Sequence, residues 1–117
     1  MTVAEGDTAR ALGSGSVDVL GTPRVIALCE EACCRAVAGD LPTSATTVGM
    51  KVRVDHLQPS PIGASVIAEA QLQKVEGRRL TFTVSASDDR GLVAVGKVVR
   101  VVVDVEHFMS KCGASLS

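Results

Sequence analysis

Tryptophan and tyrosine are absent from the 117 residues, and Phe82 and Phe108 make up the whole aromatic set. Nucleic-acid interfaces lean on a basic face and on aromatic platforms for stacking. With a formal net charge of -1 the chain offers neither, so that class of partner is not expected. Long apolar runs are missing too. The longest, Val98 to Val105, is broken by Arg100 and Asp104, far short of the roughly 20 apolar residues that a bilayer-spanning helix needs. Met1 to Gly15 has no basic start, apolar stretch and small-residue cleavage site in succession, which predicts a cytoplasmic protein without a signal peptide. Paired C-x-x-C spacing is lacking as well. Cys29, Cys33, Cys34 and Cys112 give no pattern of zinc ligands, and adjacent cysteines do not bridge easily, so the thiols are expected to be reduced and buried, with no metal.

What is present is a balance of 46% apolar and 21% charged residues, enough for a folded core and too apolar for a disordered chain. The length suits one domain, 1–117, with a loose lead-in over 1–16 rich in Gly, Ser, Thr and Ala, and a tail over 107–117. Val17 to Leu20 reads as an extended entry. Thr22 then stands as an N-cap with Pro23 at the first helical position, and Gly39, Asp40 and Pro42 end the helix. At 100° per residue, Val25, Ile26, Leu28, Cys29, Ala32, Cys33, Ala36 and Val37 share one broad arc. Arg24, Glu31 and Arg35 lie opposite, with Glu31 and Arg35 spaced as an i,i+4 pair. Glu30 falls on the border of the apolar arc.

After the helix the period becomes two. Met50, Val52, Val54 and His56 alternate with Lys51, Arg53 and Asp55 until Pro59 and Pro61. Further alternating runs cover Ala64 to Val75, Leu80 to Ala86 and Leu92 to Val105, with turns at Glu76-Gly77-Arg78 and Asp88 to Gly91, and a short helical tail is expected at Glu106 to Lys111. One helix followed by four long strands is an α+β pattern with an antiparallel sheet. A sheet of that length curls around a helix of roughly 25 Å, which is the hotdog arrangement. One helix cannot cover a strongly curved sheet, and an exposed edge strand invites pairing with a second copy. A homodimer, or a dimer of dimers, is the expected assembly.

Three residues depart from their local pattern. Glu30 is a carboxylate at the edge of an apolar face, suited to act as a general base or simply a border residue reaching water. His56 occupies the inward phase of its strand, as a proton shuttle or a strand-end histidine. Thr22 places a hydroxyl at a helix N-terminus, where developing negative charge is favoured, although a helix cap explains it equally. Gly49 lets a ligand or another backbone come close, or marks a bulge. Thr22 and Glu30 are eight residues apart, about 12 Å along a helix axis. In one straight helix they cannot touch, so either Thr22 folds back from a loop or a substrate, a histidine or a partner subunit spans the gap.

The segments Leu20-Gly21-Thr22-Pro23-Arg24-Val25-Ile26-Ala27-Leu28-Cys29-Glu30-Glu31-Ala32 and Val48-Gly49-Met50-Lys51-Val52-Arg53-Val54-Asp55-His56 resemble the hotdog-fold acyl-CoA thioesterases of the fluoroacetyl-CoA thioesterase type. Val75-Glu76-Gly77-Arg78-Arg79-Leu80 and Val103-Asp104-Val105-Glu106-His107-Phe108 extend the likeness over about Val17 to Lys111. By that resemblance Thr22, Glu30 and His56 form a catalytic constellation near a dimer interface, and the Gly49 N–H helps to hold the thioester oxygen or the attacking water. The substrate it implies is an acyl-CoA, with coenzyme A as part of the substrate and no separate cofactor; a pocket of Val, Ile, Met and Ala suits a small or medium apolar acyl group. Arg78 and Arg79, with Lys97 and Arg100, are candidates for the CoA phosphates. Three other readings stay open: a non-catalytic acyl-CoA binding or sensor domain on the same fold, a hydratase of enoyl thioesters, whose carboxylate and histidine belong on a sheet-to-helix loop, and a plain structural dimer.

Overall fold

Pro23 cannot donate a backbone hydrogen bond, so the chain around it favours a helix start, and in the computed structural model, which describes residues 1–113, helix α2 spans Thr22–Val37. Its N-cap is Gly21, with no side-chain cap, and Thr22 is the first helical residue. The expected cap at Thr22 is therefore displaced by one position, which frees the threonine hydroxyl for another partner. Gly21 fits closely there: a Cβ on it would meet the backbone of Ala9 at 3.1 Å, where the short helix α1, Ala9–Leu12, packs against the start of α2. The stretch expected to be a loose lead-in is thus tied down. Val3 is buried, its N–H donates to the Ala64 carbonyl at 2.9 Å, and the Met1 amine donates to the Val66 carbonyl at 2.7 Å.

The arc expected on α2 buries Val25, Leu28, Cys29, Ala32, Cys33 and Val37, while Ile26 is half-buried and Ala36 exposed. Across the helix Glu31 pairs with Arg24 at 3.2 Å, not with Arg35 as the spacing predicted, and Arg24 also reaches Asp7 at 3.3 Å. Four antiparallel strands follow: β1, Ala45–His56; β2, Ile67–Glu76; β3, Arg79–Asp88; and β4, Gly91–Asp104. Their order is β1-β4-β3-β2, so β1 and β2 are the two edges. Helix α3, Val105–Lys111, closes the described chain with Asp104 as its cap, accepting from the His107 N–H at 3.0 Å. Of the expected tail, residues 114–117 lie outside the described residues. No helix among the described residues is long and apolar enough to cross a membrane.

The face of the sheet against α2 carries Ala68 on β2, Leu80, Phe82, Val84 and Ala86 on β3, and Ala94 and Val98 on β4, all in one core with the buried side of the helix. Small side chains let helix and sheet approach closely, and Phe82, fully buried, fills the middle. On β1 the inward phase changes partway along. Gly49 opposes Arg100, but the next pair is Lys51 with Val99, leaving Met50 as a bulge. C-terminal to the bulge, Val52, Val54 and His56 oppose Val98, Gly96 and Ala94; N-terminal to it, Thr47 and Gly49 oppose Val102 and Arg100. Gly49 and His56 are seven residues apart and would point to opposite faces of an unbroken strand. The bulge brings them to the same face.

Candidate active site

The freed Thr22 hydroxyl lies 2.8 Å from Nδ1 of His56, the last residue of β1. With the hydroxyl donating, Nδ1 is placed to take its proton. His56 Nε2 is buried and has no hydrogen-bond partner among the described residues. The first turn of α2 adds a donor: Pro23 has no N–H, and those of Arg24 and Val25 return to the Gly21 carbonyl at 3.0 and 3.1 Å. The Thr22 N–H, at the positive end of the helix dipole, is the first-turn donor without a partner among the described residues. A hollow of about 300 Å³ opens over this pair, walled by Val17, Val19, Leu20, Leu57 and Pro59.

Glu30 is elsewhere. Thr22 lies within α2 rather than in a loop before it, so about two turns of helix, roughly 12 Å, separate the two residues along the axis. Glu30 Oε2 accepts from Arg100 Nη1 at 2.5 Å, and the glutamate side chain keeps 32% of its exposure while the arginine keeps 8%. Gly49 makes room for the carboxylate: a Cβ there would sit 2.6 Å from Glu30 Oε2. A second hollow, about 560 Å³, is lined by Ala27, Glu30, Glu31, Cys34, Arg35 and Arg100. One chain thus carries two separate polar groups, Thr22 with His56 at one end of α2 and Glu30 with Gly49 and Arg100 farther along it. A larger hollow, about 710 Å³ between Ala32, Arg35 and Ala36 of α2 and strands β2 and β3, contains none of these groups, and size alone does not make it the reacting site.

The remaining arginine candidates separate. Arg78 and Arg79 line a hollow of about 420 Å³ with Met50, Glu76 and Val101, on the turn between β2 and β3, and are not gathered with Thr22 or Glu30. Lys97 pairs across the ladders with Arg53 and Thr83, on the sheet face turned away from α2. Arg100 is corrected from a phosphate candidate to a buried cation, because its guanidinium is consumed by Glu30 and by Thr47. That role was readable in one respect: Arg100 continues the inward phase of Ala94, Gly96 and Val98, where a charge must find a partner. The thiols divide. Cys29 and Cys33 are buried and Cys34 and Cys112 exposed, so burial of all four does not hold. Burial pushes the Cys33 thiol up to about 12 and raises that of Cys29, which the Glu30 charge raises further.

Residues 3–106 match the family model described as fluoroacetyl-CoA-specific thioesterase. The fluoroacetyl-CoA thioesterase of Streptantibioticus cattleyicolor is 36% identical over 94 residues, 80% of this chain and 68% of that protein. A solved structure of a fluoroacetyl-CoA thioesterase superposes with a TM-score of 0.92 at 32% identity, covering 97% of this chain and 88% of the other. A hot-dog-like protein from Thermanaerovibrio acidaminovorans, at 24% identity and a TM-score of 0.86 over 97% of this chain and 84% of its own, shares the fold.

Proposed function

The chain belongs to the fluoroacetyl-CoA-specific thioesterase family, and from that premise we propose that it hydrolyses the thioester of a small or medium acyl-CoA at a Thr22, Glu30 and His56 site completed by a second copy of the chain. The observation that carries this reading is the pairing of the Thr22 hydroxyl with His56 Nδ1 at 2.8 Å, a nucleophile and base within reach of each other.

The separation of the two polar groups along α2 supports a second copy. Strand β1 is an edge with Met50 48% and Val52 39% exposed, a surface suited to antiparallel pairing with itself. With the twofold axis proposed at Arg53, Asp55 would stand opposite the partner subunit's Lys51 and Val54 opposite the partner subunit's Val52. The same axis would bring His56 to the partner's bulge at Met50, beside the partner's Gly49 and Glu30. The gap within one chain is then closed between chains.

In this arrangement His56 Nδ1 takes the proton of the Thr22 hydroxyl as its oxygen attacks the thioester carbonyl carbon. The oxyanion is held by backbone N–H groups, those of Thr22 and of the partner subunit's Gly49 being the candidates. Collapse breaks the carbon–sulfur bond, and the departing CoA sulfur takes the proton back from His56. The partner's Glu30 then removes a proton from water. The hydroxide attacks the Thr22 ester, and the acid leaves as the threonine oxygen recovers the proton from the carboxyl group. Coenzyme A is part of the substrate, and no further cofactor enters. Arg78 and Arg79 are the proposed contacts for the CoA phosphates, as exposed cations beside the Met50 bulge that the proposed pairing brings to the partner subunit's His56.

The test is a panel of acyl-CoAs of graded chain length, followed by loss of thioester absorbance, for the native protein and for Glu30→Ala. Turnover that peaks at one chain length and disappears in the variant supports the reading. Binding of acyl-CoA without turnover by the native protein makes the chain a binding or sensor domain instead.

A further inference from the structure

We propose that Thr47 is a positioning residue for this reaction, holding Arg100 so that its guanidinium fixes the Glu30 carboxylate; the inference rests on the catalytic reading of Glu30. Thr47 is buried, with 6% of its surface exposed, and lies two residues before Gly49 on the same inward face of β1. Arg100 reaches it twice: Nε donates to Thr47 Oγ1 at 2.9 Å, and Nη2 donates to the Thr47 carbonyl at 2.8 Å. Those two bonds fix the plane of the guanidinium. What remains at the free corner is Nη1, which donates to Glu30 Oε2.

A long arginine side chain left to itself samples many rotamers, and its fork must be anchored before it can aim one N–H at a carboxylate. Glu30 alone does not anchor it, since this carboxylate is a third exposed and sits on a flexible side chain. The Thr47 hydroxyl, used as an acceptor by Nε, has its own hydrogen free to turn toward Cys34 Sγ at 3.9 Å. Thr47 and Gly49 therefore do complementary things on one strand: the first aims the cation, the second leaves space for the carboxylate it aims.

The test compares Thr47→Val, which keeps the shape and removes the acceptor, with Thr47→Ser, which keeps the acceptor, using the best acyl-CoA of the panel. Thr47→Val is expected to lower kcat roughly 10- to 100-fold, the worth of a hydrogen bond to a charged group, with KM within about 2-fold, and Thr47→Ser to restore most of kcat. Thr47→Ala removes the same acceptor and stands in if the valine variant folds poorly. Native kcat in Thr47→Val or Thr47→Ala, or a serine variant as slow as the valine one, overturns the proposal. Glu30→Gln, assayed beside them, separates the two levels. If Glu30→Gln is inactive while Thr47→Val is at full rate, only the positioning role falls; if Glu30→Gln turns over normally, the catalytic reading falls and takes this one with it.

Discussion

Gly49→Ala adds one methyl group, and the structure gives its consequence in distances. The new Cβ would sit 2.6 Å from Glu30 Oε2, whereas ordinary contact begins at 3.4 Å, so the carboxylate must retreat by about 0.8 Å. Its φ lies outside the left-handed region, so alanine fits the backbone without strain. The displaced atom is the far end of a flexible side chain but also the acceptor of Arg100 Nη1, so the protein should stay folded at a cost of about 1 kcal/mol. The reaction should not tolerate it. A misplacement of about 1 Å in a reacting group costs on the order of 100-fold, so kcat is expected to fall roughly 10- to 100-fold. Thermal unfolding and initial rates of acyl-CoA hydrolysis, measured on one preparation, check the two halves together. Native kcat in a folded Gly49→Ala protein would refute the placement of Glu30 at the reacting centre.

Thr22→Ser should retain turnover and Thr22→Ala should lose it, with acyl-enzyme of added acyl mass detectable by intact mass spectrometry only where the hydroxyl remains. Arg100→Met leaves Glu30 and the Thr47 carbonyl without their donor, and should lower unfolding free energy by about 2 kcal/mol, read from the urea midpoint. The cost is held down by the partial exposure of Glu30. Asp88 has its carboxyl held below the usual carboxylate value by the Ser60 hydroxyl and the Arg90 N–H. A depressed folded-state value stabilises above the unfolded value of 3.8 and is lost as pH falls through the folded one. Thermal midpoints of native protein and Asp88→Asn should therefore differ at neutral pH and converge in acid. Alkylation at pH 8 should reach Cys34 and Cys112 in the folded protein and Cys29 and Cys33 only after unfolding.

The helix was readable from Thr22-Pro23 and its apolar arc, and the strands from alternation, because both patterns are local consequences of backbone period. The displaced cap was not: whether Gly21 or Thr22 caps depends on the packing of Ala9 against Gly21, a contact between segments. The bulge was readable only as one of two meanings of Gly49, and its place at Met50 was not, since a run alternating from Met50 to His56 shows no break in its own period. The break lies before Met50, where Thr47 and Gly49 take the inward phase and oppose Val102 and Arg100. Order in residues 1–16 depends on distant partners, Ala64 and Val66, that composition cannot reveal. At the site, the types of Thr22, Glu30 and His56 stood out against their surroundings, but which of them meet did not. Arg100 read as one of several strand charges because its partner, Glu30, is 70 positions away. Thr47 gave no signal, a threonine in a strand being unremarkable for its propensity.

The central claim, thioester hydrolysis at a site shared between two copies, is tested most directly by mixing two dead variants. Thr22→Ala and Glu30→Ala are each expected to be inactive. Unfolded together in equal amounts and refolded, they give about half mixed dimers, each with one intact site in two, so the mixture should recover about a quarter of native activity. A mixture as inactive as its parents, beside native protein that regains full activity after the same treatment, would contradict a site built across the two chains.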